Sequence, residues 1–251
     1  MTSDEVVARL RAAGCVFAED EATLLLAAGG DLDALVARRV AGEPLEQVLG
    51  WAEFAGRRIA VAPGVFVPRR RTELLVRLAR ERAPRARVIV ELCCGSAAVA
   101  AVLAAERPDA QLHAADVDPA AVACARRNLD PARVYAGDLY AALPARLRGR
   151  VELLAVNAPY VPTDEIAMMP PEARDHEARV ALDGGPDGLD LHRRVATGAP
   201  EWLAAGGWLL LETSRHQAAR SAALATAAGL TAEIVRADDL DGTAIAARRA
   251  D

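Results

Sequence analysis

Lysine is absent from the sequence, so all 30 basic residues among its 251 are arginine, a bias that reflects base composition rather than function. Cysteine is scarce. The four present, Cys15, Cys93, Cys94 and Cys124, show neither zinc-ligand spacing nor a Cys-x-x-Cys pair, so no zinc module or thioredoxin-type centre is expected. Four small, reduced, buried side chains in a cytoplasmic protein are expected instead. Long apolar runs are also missing: Trp208 to Leu211 has the length of a strand, against the roughly 20 residues needed to span a bilayer. The first residues, Met1-Thr2-Ser3-Asp4-Glu5, carry acids where a secretory signal would carry bases, so export is not expected. Nor is there a surplus of positive charge. With 35 acids the net charge is -5, which provides no global footprint for duplex nucleic acid. Internal repeats and low-complexity segments are absent.

What is present is 53% hydrophobic residues, enough for one substantial core and a smaller second domain. The first fifty residues show helical periodicity in three segments: Val6, Val7, Leu10; Ala22, Leu24, Leu25, Leu26; and Leu32, Leu35, Val36, Val40. Acids precede each segment, where they suit helix N-termini. This predicts a helical domain over residues 1–48. After the break Gly42-Glu43-Pro44, short apolar runs split by Gly56-Arg57-Arg58 and Pro63-Gly64 predict a β-hairpin linker over 49–68.

The remaining residues, 69–251, alternate between strand and helix: strands at Arg87 to Leu92, Gln111 to Asp116 and Val151 to Val156, helices at Ala97 to Glu106 and Pro119 to Asn128. Such alternation specifies right-handed β-α-β units and a doubly wound, mostly parallel sheet. A strand at Gly207 to Glu212, a helix at Gln217 to Ala228 and the runs Thr231 to Val235 and Thr243 to Ala247 follow, the last two forming a hairpin that gives an antiparallel edge strand. Seven strands are expected in all.

Chemistry gathers at the strand ends. Glu91-Leu92-Cys93-Cys94-Gly95-Ser96-Ala97 turns from the first strand into a helix, at the end of the sheet where such folds bind ligands. Gly95 would allow close backbone approach, although a plain strand-helix turn would look similar. Asp116, about twenty residues further on, could accept hydrogen bonds from both ribose hydroxyls of a nucleoside, while Asp118 before Pro119 reads better as a helix N-cap. Gly137-Asp138-Leu139 either contacts an adenine amine or is an ordinary turn.

Asn157-Ala158-Pro159-Tyr160, at the end of the fourth strand, is more specific. An amide nitrogen is a poor nucleophile because its lone pair is delocalised. A site that methylates it must grip the NH2 by hydrogen bonds, aim it at the methyl donor and exclude water. The Asn157 side-chain carbonyl suits one N–H and the adjoining backbone carbonyls suit the other; Pro159 keeps Ala158 extended, and Tyr160 can stack on the planar group. An Asn-x-Pro turn closing a strand is the plain alternative.

The order of these motifs resembles the release-factor glutamine methyltransferases, the HemK-type family, over nearly the whole chain. Pro44 to Gly50 and Phe54 to Arg58 resemble its interdomain segment, Val67 to Glu73 resembles its Pro-Arg-Pro-Glu-Thr-Glu segment, and Ala181 to Leu189 matches a characteristic stretch. The resemblance implies a class I, Rossmann-like, S-adenosylmethionine-dependent methyltransferase acting on a glutamine in a protein. It implies a donor site at Glu91, Cys93, Cys94, Gly95, Ser96, Ala97, Asp116, Asp138, Leu139 and Asn157, and an acceptor site at Asn157, Ala158, Pro159 and Tyr160, with Asn157 and Tyr160 as catalytic residues. In that family the acceptor lies in the Gly-Gly-Gln loop of peptide-chain release factors.

Three departures suggest a divergent paralogue. Asp-Leu-Gly-Thr-Gly-Ser-Gly of the family reads Glu91 to Ala97 here, Asn-Pro-Pro-Tyr reads Asn157 to Tyr160, and Pro-Glu is replaced by Arg70-Arg71. The triple run Arg69-Arg70-Arg71 is then either a solvated helix start or a contact to RNA phosphates or to acids of a partner. Two other functions stay open: an adenine-N6 nucleic-acid methyltransferase, whose acceptor is also a planar amine, and a binding module that has lost the donor. No metal is expected.

Overall fold

A computed structural model describes all 251 residues. Helices α1 (Ser3–Ala12), α2 (Ala18–Ala27) and α3 (Leu32–Val40) occupy the three predicted segments. Thr2 caps α1 in a reciprocal box with Glu5, and Asp31 caps α3 through the Ala34 amide. A fourth helix, α4 (Leu45–Leu49), follows Pro44 and stops at Gly50 in the left-handed region; at five residues it is too short for periodicity to reveal. Val6, Leu10, Leu25, Val36 and Val48 close a small core of their own. Arg39, nearly buried, binds Glu21 on α2 through Nε (2.6 Å) and Glu172 through Nη1 (2.6 Å), tying the bundle to the rest of the molecule.

Strands β1 (Trp51–Phe54) and β2 (Arg57–Ala60) pair as the hairpin, and α5 (Glu73–Arg82) then buries Leu74, Leu75 and Leu78 against the sheet. Each such side chain contributes roughly 1.5–3 kcal/mol. The alternation continues with β3 (Val88–Leu92), α6 (Ala98–Glu106), β4 (Gln111–Asp116), α7 (Pro119–Ala125), β5 (Val134–Ala136) and β6 (Val151–Val156). After α8 (Pro171–His176) come α9 (Asp190–Trp202), β7 (Leu203–Glu212), α10 (Ala218–Ala227), β8 (Thr231–Ala237) and β9 (Gly242–Arg248). The seven strands lie in the order β5-β4-β3-β6-β7-β9-β8. β9 runs antiparallel to β7 and to β8, so the antiparallel edge is the terminal hairpin, with β8 outermost.

Helix α7 ends three residues before Asn128, whose side chain instead bonds the Ala60 amide and carbonyl and the Ser96 carbonyl. β7 starts four residues before Gly207, across a register irregularity against β6. The order of connection reverses between β3 and β6. β3 leads outward to β4 and β5, while β6 leads the other way, leaving a crevice beyond the carboxyl ends of these two central strands.

Candidate functional site

A cleft of about 620 Å³ fills that crevice, within the roughly 300–1,000 Å³ of small-molecule sites. Every residue expected at the donor or acceptor lines it except Ala97.

The β3–α6 loop forms one wall. Its backbone is left-handed at Cys93 (φ 52), Gly95 (φ 53) and Ala97 (φ 58), two of them positions where a side chain is strained. Around the absent Cβ of Gly95 the nearest atom is Phe66 Cβ at 4.0 Å, so the backbone there stands open to the cleft. Ala97 is fully buried, packs in the core behind the loop and does not line the cleft. As N-cap of α6 it provides no side-chain acceptor. Glu91 takes that role, its Oε2 accepting from the Ala100 amide at 2.7 Å; although it borders the cleft, its carboxyl group is committed to the helix. Burial pushes the Glu91 carboxyl up to about 8, and likewise raises the thiols of Cys93 and Cys94 well above their ordinary value, so neither is a nucleophile near neutral pH. All four cysteines are free, Cys94 and Cys124 buried and Cys15 and Cys93 only half-buried.

Asp116 ends β4 with both carboxylate oxygens engaged: Oδ2 accepts from Gly95 N at 2.8 Å and Oδ1 from Asp118 N at 2.9 Å. It shapes the loop as well as facing the cleft. Burial raises its pKa, and the backbone donors oppose that. Asp118 is the N-cap of α7, bonding Ala120 N. Asp138, expected to meet an adenine amine, is bound by Arg194 Nη2 of α9 at 2.5 Å, a partner the sequence did not disclose; Leu139 beside it is left-handed (φ 47) and buried.

Asn157 to Tyr160 form the opposite wall, at the end of β6. Asn157 Nδ2 donates to Thr72 Oγ1 at 3.3 Å. The Ala158 and Pro159 carbonyls accept no hydrogen bond from the protein, whereas the Tyr160 carbonyl accepts from Gln217 Nε2 at 2.9 Å. The Tyr160 hydroxyl lies 3.3 Å from Glu212 Oε1 and receives Arg71 Nε at 3.1 Å. Arg71 Nε also reaches Glu212 Oε1 at 3.2 Å. Burial and the Glu212 charge push the Tyr160 hydroxyl up to about 12, so it stays neutral. Its ring meets the edge of His192, buried, bonded to Ser221 and held neutral by burial with a pKa of about 4.

The characteristic stretch Ala181 to Leu189 holds this wall from behind. Val161 N bonds Leu182 O at 3.2 Å and Gly184 N bonds Val161 O at 2.8 Å. Close approach explains its glycines: a Cβ on Gly184 would stand 2.8 Å from Pro159 O and Tyr160 Cα, and one on Gly188 (φ 70) 2.4 Å from Tyr160 O.

Two of the three arginines in the run are engaged within the protein. Arg69 binds buried Glu177 (2.5 Å) and stacks over Phe66, Arg71 turns inward to Glu212, and only Arg70 is without such a partner. Phe66, Thr72, Arg194 and Glu212 are the site residues that sequence reasoning missed. The side chains that Thr72, Arg194 and Glu212 bond lie 52 to 141 residues away, and local pattern carries no trace of them.

Residues 56–172 match the family model described as Methyltransferase small domain. A release factor glutamine methyltransferase of Geobacter sulfurreducens is 42% identical across 73% of this chain, an alignment spanning 65% of that protein. One of Mycolicibacterium smegmatis is 38% identical across 90% of this chain and 80% of its own length. A 4-amino-L-phenylalanine/4-methylamino-L-phenylalanine methyltransferase of Streptomyces pristinaespiralis is 37% identical across 90% of this chain and 86% of its own. Among solved structures, a methyltransferase of Pyrococcus furiosus superposes with a TM-score of 0.59 at 16% identity, covering 86% of this chain and 98% of that one, which supports the class I Rossmann-like fold. No helix is long and apolar enough to cross a membrane.

Proposed function

The chain belongs to the family of release factor glutamine methyltransferases, and from that premise we propose that it methylates the side-chain amide nitrogen of a glutamine in a peptide-chain release factor, in the cytoplasm, using S-adenosylmethionine. The observation that carries this reading is the unsatisfied acceptor set on one wall: Asn157, with its amide NH2 turned to Thr72, and the Ala158 and Pro159 carbonyls, which no protein group occupies. A primary amide offers two N–H donors in one plane, and these acceptors match that pattern.

The opposite wall fits the donor. The open backbone at Gly95 suits close approach, Asp116 suits a ribose, and Val117, Leu139 and Ala158 give the apolar flanks a nucleoside base needs. Bound there, S-adenosylmethionine would supply an electrophilic methyl group on a sulfonium. Asn157 Oδ1 and the Ala158 carbonyl hold the acceptor nitrogen and fix its direction, and Tyr160 covers the planar amide. Tyr160 is neutral and serves as a packing surface and hydrogen-bond donor, not as a base. The nitrogen sheds its proton to solvent after the new N–C bond has formed. On this reading residues 69–251 perform the transfer, 1–48 are a helical domain docked through Arg39, and 49–68 connect them.

A second reading rests on the Streptomyces pristinaespiralis relative, which by its name acts on an arylamine and aligns as fully as the release-factor enzymes. An aniline nitrogen is planar and carries the same two donors. The deciding experiment supplies labelled donor with release factor, 4-amino-L-phenylalanine or duplex DNA in separate reactions. Label in the release factor, mapped to a glutamine, is expected; label only in the arylamine would replace the first reading with the second. Absence of donor binding by calorimetry at millimolar concentration would defeat both.

A further inference from the structure

Residues 162–182 leave the second wall at Val161 and return to it at Asp183, where those two positions bridge in parallel. The excursion forms a lip of the cleft: Met169 and Arg179 to Leu182 line it, and Met168 and Val180 are exposed on it. Regular structure supports it little. Two short 3-10 turns, Thr163–Met168 and Arg179–Ala181, flank the six residues of α8, too few to offset by themselves the entropy lost on ordering.

The far end of the lip is held from outside, in part by the N-terminal helices. Gln47 of α4 is buried, and both ends of its amide are satisfied: Oε1 accepts from Gly64 N at 3.2 Å, while Nε2 donates to Val65 O at 3.0 Å and to His176 O at 3.2 Å. One side chain thus joins the helical domain, the linker and the lip. Arg39 adds its ion pair to Glu172, and the linker adds two bonds, Ala178 N to Gly64 O at 3.0 Å and Val67 N to Glu177 Oε1 at 3.0 Å. All of these contacts enter the lip between Met169 and Arg179, the two places where it meets the cleft. The linker alone would tether the helices, whereas a buried and fully satisfied amide shared among three segments fixes their relative placement.

We infer that Gln47 is a positioning residue for the transfer, assisted by Arg39: through them the N-terminal helices hold the lip beside the second wall, so the helical domain sets how tightly the acceptor is gripped. Neither residue lines the cleft. The acceptor half of this inference rests on the proposed role of Asn157 to Tyr160; the anchoring half does not.

Two variants test it. Gln47→Met keeps the bulk of the side chain and removes its three bonds, and Glu172→Ala removes only the ion pair, from outside the helical domain. In hydrogen exchange followed by NMR, the lip amides of Ala178, Ala181 and Leu182 should exchange about tenfold faster in Gln47→Met, the equivalent of one lost hydrogen bond. They should exchange a few-fold faster in Glu172→Ala. Amides of α1, α3 and β3 gauge folding and should not change. In transfer to release factor, Gln47→Met should raise KM for the acceptor about tenfold, with kcat within about threefold and donor affinity unchanged. Unchanged lip exchange in Glu172→Ala, or in Gln47→Met with intact helices, overturns the anchoring; if Gln47→Met also loosens the helices, Glu172→Ala decides alone. A freed lip with unchanged KM overturns the positioning role. A freed lip in a protein that never labels release factor would uphold the anchoring and refute the substrate.

Discussion

The wall at Cys93 to Ser96 is shaped by its own backbone, held open by left-handed dihedrals, whereas the wall at Asn157 to Tyr160 is shaped by side chains converging from three distant positions, Thr72, Glu212 and Gln217. Glycine positions of the resembled family have become Cys93 and Ala97 on the first wall, at a strain of roughly 1–2 kcal/mol each. On the second, a family proline has become Ala158, while Asn157 bonds Thr72, and Tyr160 bonds Glu212 and Gln217. The difference teaches that the first wall absorbs substitution as strain, while the second would lose its geometry if one partner were removed.

Breaking the acceptor wall should have the largest effect. Asn157→Ala removes the orienting carbonyl and should lower methyl transfer by about 100- to 1,000-fold, while calorimetry shows donor affinity within about tenfold of wild type. Comparable activity in that variant would mean that the second wall does not hold the acceptor. Gly188→Ala attacks the same wall from behind, where the new methyl would meet Tyr160 O at 2.4 Å and Gln217 Nε2 at 2.3 Å. A loss of about 2–4 kcal/mol in urea unfolding is expected. If stability holds and only kcat falls, the loop has yielded and Tyr160 has moved with it.

Legibility follows the same division. The first wall could be read locally: a strand ending in a Gly-bearing turn, an acid twenty residues on, and alternation strong enough to give the sheet. The Asn-x-Pro-Tyr segment was equally visible, and Asp118 before Pro119 read correctly as a cap. What supports that segment was not. Glu212 ends an apolar strand and looks like an acid reaching solvent, yet it is buried against Arg71 and Tyr160. Helix α9 escaped notice because Gly198 and Pro200 interrupt its pattern; Gly198 is needed where the Tyr140 ring would come within 2.4 Å of a Cβ. Ala97 was assigned by motif position alone, and its burial depended on how α6 packs.

A pH series sharpens the donor side. Glu91 is neutral in the folded protein below about 8 because of burial, whereas its ordinary value is 4.5. The unfolded chain therefore releases a proton that the folded protein retains. The associated stability is full below 4.5 and is lost as pH rises toward 8, by an amount on the order of a few kcal/mol. Glu91→Gln should flatten that slope in unfolding measured at pH 5 and pH 8. An equal slope in both proteins would show the carboxyl to be ionised when folded.

The smallest effect, and the most direct comparison of strain with contact, is expected from Cys93→Gly. Glycine relieves the left-handed dihedral at φ 52, but it frees the unfolded chain and gives up a half-buried thiol packed against Leu139 and its neighbours. These terms are each about 1 kcal/mol and oppose one another, so stability should stay within about 1 kcal/mol of wild type. Donor affinity does not share that cancellation, because the thiol stands on the cleft wall where the resembled family has no side chain. Removing it should tighten S-adenosylmethionine binding several-fold in calorimetry. Weaker binding would make Cys93 a donor contact in its own right, and the first wall would then depend on side chains as the second does.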